Sequence, residues 1–278
     1  VVNLSTSRQR GVGMEVGYVQ TMPIFGRKAE NVREALRLAE RVSTADLLVF
    51  PELFSTGYLF ASREETREMS EGVDGPTVSA LRDFSRRTET AIVAGFAERG
   101  ERGAVYNSAV VIDERGKVVG VYRKTHLFDR EREWFDPGDT GFEVFELAGA
   151  RVGVMICFDW IFPEACRTLS LKGAQIVAHP ANLVLPYAQT AMLARSVENR
   201  VFTVTANRVG EDAREGIGRI SFTGRSQVTS PSMEVLVRGP ADRPHAASVD
   251  IDPRRAEDKR ITERNDLFED RRREFYEL

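Results

Sequence analysis

Little in this chain marks it for a specialised environment. Cysteine is scarce: 278 residues hold two, Cys157 and Cys166. That excludes a disulfide framework and leads us to expect a reducing, cytoplasmic setting. Histidine is scarce too, with three copies at His126, His179 and His245. Without ligand spacing among them, no metal centre is expected and no cofactor is implied. The longest apolar runs, such as Val152 to Phe158, span only about two helical turns, far short of a bilayer. Net charge is −3 with an isoelectric point near 5.8, so there is no basic footprint for nucleic acid. The chain lacks Pro/Ser/Gly linkers, repeats and low-complexity tracts, which favours one domain over two. The first residues, Val1 to Gly13, are polar and carry no apolar h-region, so they read as a poorly ordered extension and not a secretory signal.

What is present is ordinary globular composition, 42% hydrophobic and 29% charged, arranged in alternating periods. Strands are predicted over Glu15–Gln20, Asp46–Phe50, Ala91–Ala97, Ala104–Ile112, Lys117–Tyr122, Arg151–Ile156, Gln175–Ala178, Val201–Ala206 and Ala246–Ile251. Helices are predicted over Ala29–Val42, from Gly75-Pro76 through Phe84, over Pro163–Lys172 and over Ala188–Asn199. Arg219 to Val237 reads as hairpins. This alternation points to an α/β layered domain over residues 14–253. A densely charged tail from Arg254 to Leu278 follows, studded with Leu267, Phe268, Phe275 and Tyr276, and on composition alone reads as a solvated helix.

Three islands stand out: Phe50-Pro51-Glu52, Arg123-Lys124-Thr125-His126-Leu127, and Val154 to Trp160 around Cys157. Each places one reactive group just past an apolar run, where strand ends in a sheet fold lie close together. A carboxylate, an ammonium and a thiol supply a base, an oxyanion stabiliser and a nucleophile for acyl transfer. A charge at Glu52, beside a buried strand, is costly unless it is paired or functional. The Lys124 ammonium is expected to favour the Cys157 thiolate. Cys166, inside a helical stretch, reads as packing. His126 leaves a Cys–His pairing open as an alternative base.

In their order Glu, Lys, Cys, these islands resemble the nitrilase superfamily of carbon–nitrogen hydrolases, from about Met14 to the C-terminus. Trp134-Phe135-Asp136-Pro137-Gly138-Asp139, Phe162-Pro163-Glu164 and His179-Pro180-Ala181-Asn182 are similar to family text as well. The resemblance implies a four-layer α-β-β-α sandwich and a thioester mechanism on Cys157, with Glu52 as base and Lys124 and the Phe158 backbone N–H holding the oxyanion. It also implies a second glutamate after the lysine, Glu131 or Glu133, with Glu131 the better fit. Tyr58, Phe128, Trp160 and Asn182 are placed by it near the substrate, and the tail across a homodimer interface. The expected substrate is a small-molecule amide, with nitriles or dinitriles as the alternative. Asp159-Trp160-Ile161 stands where carbamoyl-amino-acid enzymes tend to carry arginine, which disfavours N-carbamoyl substrates. A non-catalytic binding protein on the same fold is the rival from another class.

Overall fold

The computed structural model describes residues 13–276; most of the expected extension at 1–13 lies outside it. In chain order the first half contains β1 (Met14–Gln20), α1 (Lys28–Ala39), β2 (Leu47–Phe50), α2 (Arg63–Met69), α3 (Pro76–Thr88), β3 (Ala91–Arg99), β4 (Val105–Ile112), β5 (Val118–Arg123) and the single turn α4 (Glu131–Trp134). The second half contains β6 (Val144–Leu147), β7 (Ala150–Val154), α5 (Pro163–Leu171), β8 (Ile176–Pro180), α6 (Ala188–Asn199) and β9 (Phe202–Ala206). There follow β10 (Glu211–Arg214), β11 (Gly218–Ser221), β12 (Gln227–Thr229), β13 (Val235–Arg238), β14 (His245–Ile251), β15 (Arg260–Thr262) and β16 (Asn265–Asp266).

Two six-stranded sheets form, ordered β14-β1-β2-β3-β4-β5 and β13-β12-β9-β8-β7-β6. In each, three parallel strands lie inside antiparallel edges: β1, β2 and β3 in one, β7, β8 and β9 in the other. Strand alternation explains the layering, because successive side chains point to opposite faces. Val16, Tyr18, Leu47, Val49, Ala91, Val93, Ala109 and Val111 face the second sheet and meet Val152, Val154, Ile176, Ala178 and Val204 in one core. Their neighbours Leu48, Phe50, Ile92, Ala94, Phe96, Val110 and Ile112 face outward, onto Val32, Ala35 and Leu38 of α1 and Val78, Leu81 and Phe84 of α3. Helices α5 and α6 cover the second sheet through Leu169 and Met192. The result is the expected α-β-β-α sandwich. Among the described residues no helix is long and apolar enough to cross a membrane.

Two departures from the sequence reading have local causes. The nucleophile strand stops at Val154, not Ile156, because the Ile156 N–H turns away to the Asp159 carboxylate at 2.8 Å. The tail contains no α-helix among its described residues: a 3-10 turn at Pro253–Ala256, the hairpin β15–β16 and a 3-10 turn at Arg273–Phe275 replace it. Ion pairs between residues two apart, Asp252 with Arg254 and Asp258 with Arg260, accompany these short turns, and Asp252 caps the first of them. Lys259 donates to the carbonyls of Asn199 and Arg200 at 3.0 Å each, which fastens the tail to the end of α6.

Candidate active site

Strand ends bring the three islands together. Glu52 sits two residues past β2, Lys124 directly after β5, and Cys157 three residues past β7. Glu52 and Lys124 are fully buried, with Lys124 Nζ 2.7 Å from Glu52 Oε1. The same ammonium reaches both oxygens of Glu131, at 2.8 and 2.7 Å. Glu131, not Glu133, is therefore the second carboxylate beside the lysine; Glu133 is exposed and pairs with Arg130. Burial opposes the Lys124 charge, but Glu131, Glu52 and Cys157 together hold its pKa above the usual lysine value. Burial, reinforced by Glu52, pushes Glu131 above the usual glutamate range against the pull of Lys124.

Cys157 is the residue on which the site's opposing influences meet. Burial and the Glu52 and Glu131 carboxylates outweigh Lys124 and raise its pKa well above the ordinary thiol value. The resting group is a neutral thiol, so the lysine alone does not generate a thiolate; the proton needs a base at the moment of attack. Glu52 is arranged for that. Its Oε1 accepts from Lys124 and from Asn107 Nδ2 at 2.7 Å, while Oε2 has no partner among the described residues. Asn107 was not singled out by sequence reasoning, since an asparagine inside strand β4 carries no motif. Gly95 lies behind Glu52 on β3, where a Cβ would collide with the Glu52 Cα and the Pro51 carbonyl.

The thiol stands on a strained turn. Cys157 has φ of +40°, a left-handed conformation unusual for a non-glycine residue, and opens a 3-10 turn over Cys157–Ile161. Phe158 follows it at the start of that turn, where backbone N–H groups lack intrahelical acceptors. Asp159 fixes the turn. One carboxylate accepts from the Ile156 N–H, from Tyr122 Oη at 2.7 Å and from the His126 N–H at 3.2 Å, and it also bonds His126 Nδ1 at 2.7 Å. His126 is thus held by Asp159 and stacked on Phe162, 3.7 Å between centroids, and its ring bonds Asp159 and not Cys157 among the described residues. His179 does touch the nucleophile's backbone: Nε2 lies 3.0 Å from the Cys157 carbonyl, and Nδ1 3.1 Å from Thr205 Oγ1. A carbonyl only accepts, so Nε2 carries the proton and Nδ1 accepts from the hydroxyl. Burial lowers the His179 pKa to about 4, which keeps the ring neutral.

A narrow pocket opens on the thiol, with a cavity volume of about 10 Å³. Phe128, Cys157, Phe158, Trp160, Asn182, Leu183, Val184 and Leu185 line it. Roomier hollows near Ala213–Arg219 and Met22–Phe25 contain none of the three reactive residues. Of the four residues expected around the substrate, Phe128, Trp160 and Asn182 lie in the wall of this pocket. Tyr58 does not. Its hydroxyl donates to Glu131 Oε1 at 2.7 Å, and its ring packs edge-on against Trp134 and Phe222 behind the site. Tyr58 is itself held from β10, where Asp212 Oδ2 accepts the Tyr58 N–H at 2.7 Å and the Leu59 N–H at 3.1 Å.

A cysteine, a lysine and a glutamate at strand ends of a double-sheet sandwich, with a second glutamate on the helical turn after the lysine, define a class of hydrolase, and comparison with known proteins gives it its family. The carbon-nitrogen hydrolase family model matches residues 15–261, and the chain belongs to that family. It is 47% identical over 266 residues to a nitrilase of Pyrococcus abyssi, covering 95% of this chain and 99% of the relative. In structure it matches a carbon-nitrogen hydrolase from Helicobacter pylori G27 with a TM-score of 0.87 and 26% identity, over 95% of this chain and 97% of that one. A double mutant of the amidase from Nesterenkonia sp. AN1, in complex with acrylamide, matches with a TM-score of 0.74 and 27% identity, over 90% and 95% of the two chains. The chain is therefore a carbon–nitrogen hydrolase.

Proposed function

We propose that this enzyme hydrolyses small, largely apolar amides through a thioester on Cys157. One observation carries the reading: a single buried ammonium, Lys124, bridges Glu52 and Glu131 beside a neutral thiol. As the Cys157 sulfur attacks the amide carbonyl, its proton passes to the free Oε2 of Glu52. The oxyanion is received by Lys124 Nζ and the Phe158 N–H. Glu52 then returns the proton to the nitrogen, ammonia departs and the thioester remains. Water attacks the thioester with Glu52 taking its proton. Collapse expels the sulfur, which recovers that proton, and the carboxylic acid leaves. Glu131, steadied by Tyr58, keeps the lysine aimed throughout.

Nitrile hydrolysis is the second reading, and the 47% identity to the Pyrococcus abyssi nitrilase favours it. N-carbamoyl amino acids fit poorly, because the pocket lining carries no cationic side chain for their carboxylate. Paired series of short amides and nitriles, scored by ammonia release and product mass, test the choice. Faster turnover of amides supports our reading; turnover of nitriles alone overturns it. We also propose that the chain works as a homodimer in the cytoplasm. Ile161, Leu171 and Tyr187 expose apolar surface on the segments around α5 and α6, directly after the nucleophile.

A further inference from the structure

Asn182 presents an unanswered pair of polar atoms inside an otherwise apolar pocket. The residue is 3% exposed, and among the described residues neither its Oδ1 nor its Nδ2 has a hydrogen-bond partner. Buried amide groups are nearly always hydrogen-bonded, so such an arrangement is rare without a purpose. Its backbone, by contrast, is fixed on every side. The Ala181 N–H donates to the Ala206 carbonyl at 2.8 Å, and the Leu183 N–H to Asn207 Oδ1 at 2.8 Å. The Leu183 carbonyl accepts from the Thr223 N–H at 2.9 Å, and Asn182 lines the same pocket as Cys157. The side chain is therefore held at a set distance from the nucleophile, with its amide unused.

The chemistry of that amide selects what answers it. Asn182 is the only side chain in the pocket lining that offers both an N–H donor and a carbonyl acceptor. A second nitrile on the substrate supplies only an acceptor and leaves Oδ1 unpaired. A carboxylate likewise has no donor, and no cation lines the pocket to balance its charge. A hydroxyl joins both functions in one atom and cannot span the two heads of an amide. A carboxamide supplies one donor and one acceptor in matching order and closes a two-bond pair with Asn182.

We propose that Asn182 is a specificity-determining residue that recognises a second carboxamide on the substrate, so that the preferred substrates are short diamides cleaved at one end. The proposal rests on the amide-hydrolase reading above. The small free space limits the spacer between the two amides to a few carbons.

The test compares each diamide with its hydrocarbon isostere: malonamide with 3-methylbutanamide, succinamide with 4-methylpentanamide, glutaramide with 5-methylhexanamide. For at least one pair, the wild type is expected to favour the diamide in kcat/KM by tenfold or more. Asn182→Leu, which keeps the size but removes both heads, lowers that ratio at least tenfold, whatever it does to absolute rates. Asn182→Asp, which keeps an acceptor and loses the donor, lowers it as well and serves if the leucine variant melts early. A wild-type preference for the isosteres at every length overturns the proposal, as does a ratio unmoved by both substitutions. Those outcomes leave amide hydrolysis standing. Absence of ammonia from all six amides, with nitriles still turned over, overturns the amide reading instead and the proposal with it.

Discussion

At the level of single residues, the site is a balance of buried charge. Lys124 answers two carboxylates at once, and removing it strands both in a medium that does not solvate them. Lys124→Met is expected to lower stability by about 3–5 kcal/mol and kcat by about 10²–10³, measured by denaturant unfolding and by ammonia release. His179 predicts a pH effect of definite sign. Its folded pKa, about 4, lies below the unfolded value near 6.5. Between those values the unfolded chain takes up a proton that the folded chain refuses. Stability is therefore lost as pH falls through that window, and the loss levels off below about pH 4. The full effect is on the order of 3 kcal/mol, and a pH series of unfolding curves should show His179→Gln with a shallower acid limb than wild type. Glu52, Lys124 and Cys157 were legible in the sequence because each follows an apolar strand and carries chemistry that burial makes expensive. The support around them was not. Asn107, Thr205 and Asp212 meet the site across 26 to 154 residues of chain, and contacts at such separation leave no local periodicity to read. Spacing identifies the lysine that draws Cys157 toward the thiolate, but not the burial and the two carboxylates that oppose it.

Elements explain why the arrangement holds its shape. The clearest case is the hairpin β10–β11, which clasps the loop that follows Glu52. Arg208 and Asp212 form a fully buried pair at 2.9 Å, Arg208 lies 4.0 Å over the Phe222 ring, and Asp212 holds the Tyr58 and Leu59 N–H groups. Arg214 adds a two-bond link to Glu65 on α2 at 2.7 and 2.6 Å. Through Tyr58 this clasp reaches Glu131 and then Lys124. Asp212→Ala leaves the Arg208 guanidinium buried without its carboxylate, so a loss of about 3–5 kcal/mol is expected. A fall in kcat should accompany it, as the Tyr58 hydroxyl loses its position; unchanged kcat in folded protein would separate the clasp from the site. Long strands with clean alternation were read within a residue or two. Helix α2 was passed over although Ser62 and Glu65 carry a capping signature: Ser62 Oγ accepts the Glu65 N–H at 3.3 Å, and Glu65 accepts the Ala61 N–H. Strand β6 was missed because four residues at a sheet edge, only Leu147 of them buried, make too short a pattern.

For the molecule as a whole, the two sheets share one core, and every reactive group stands on a loop leaving that core. The composition announced the layered class, but charge density in the tail suggested a helix where ion pairs two residues apart accompany turns. That tail is tied to the end of α6 through Lys259, and Phe268 lies 5.2 Å from both Lys259 and Arg167. Light scattering is expected to give the mass of at least a dimer, and truncation from Arg260 to weaken assembly and activity together; a fully active monomer would contradict this. The central claim is that carbon–nitrogen cleavage passes through the Cys157 sulfur. Ammonia release from a small amide by Cys157→Ala, with Cys166→Ala as the control of equal composition, measures that claim directly. The account predicts that the Cys157 variant folds with wild-type secondary structure and releases no ammonia above the uncatalysed rate, while the Cys166 variant turns over normally. Sustained turnover by Cys157→Ala would contradict it.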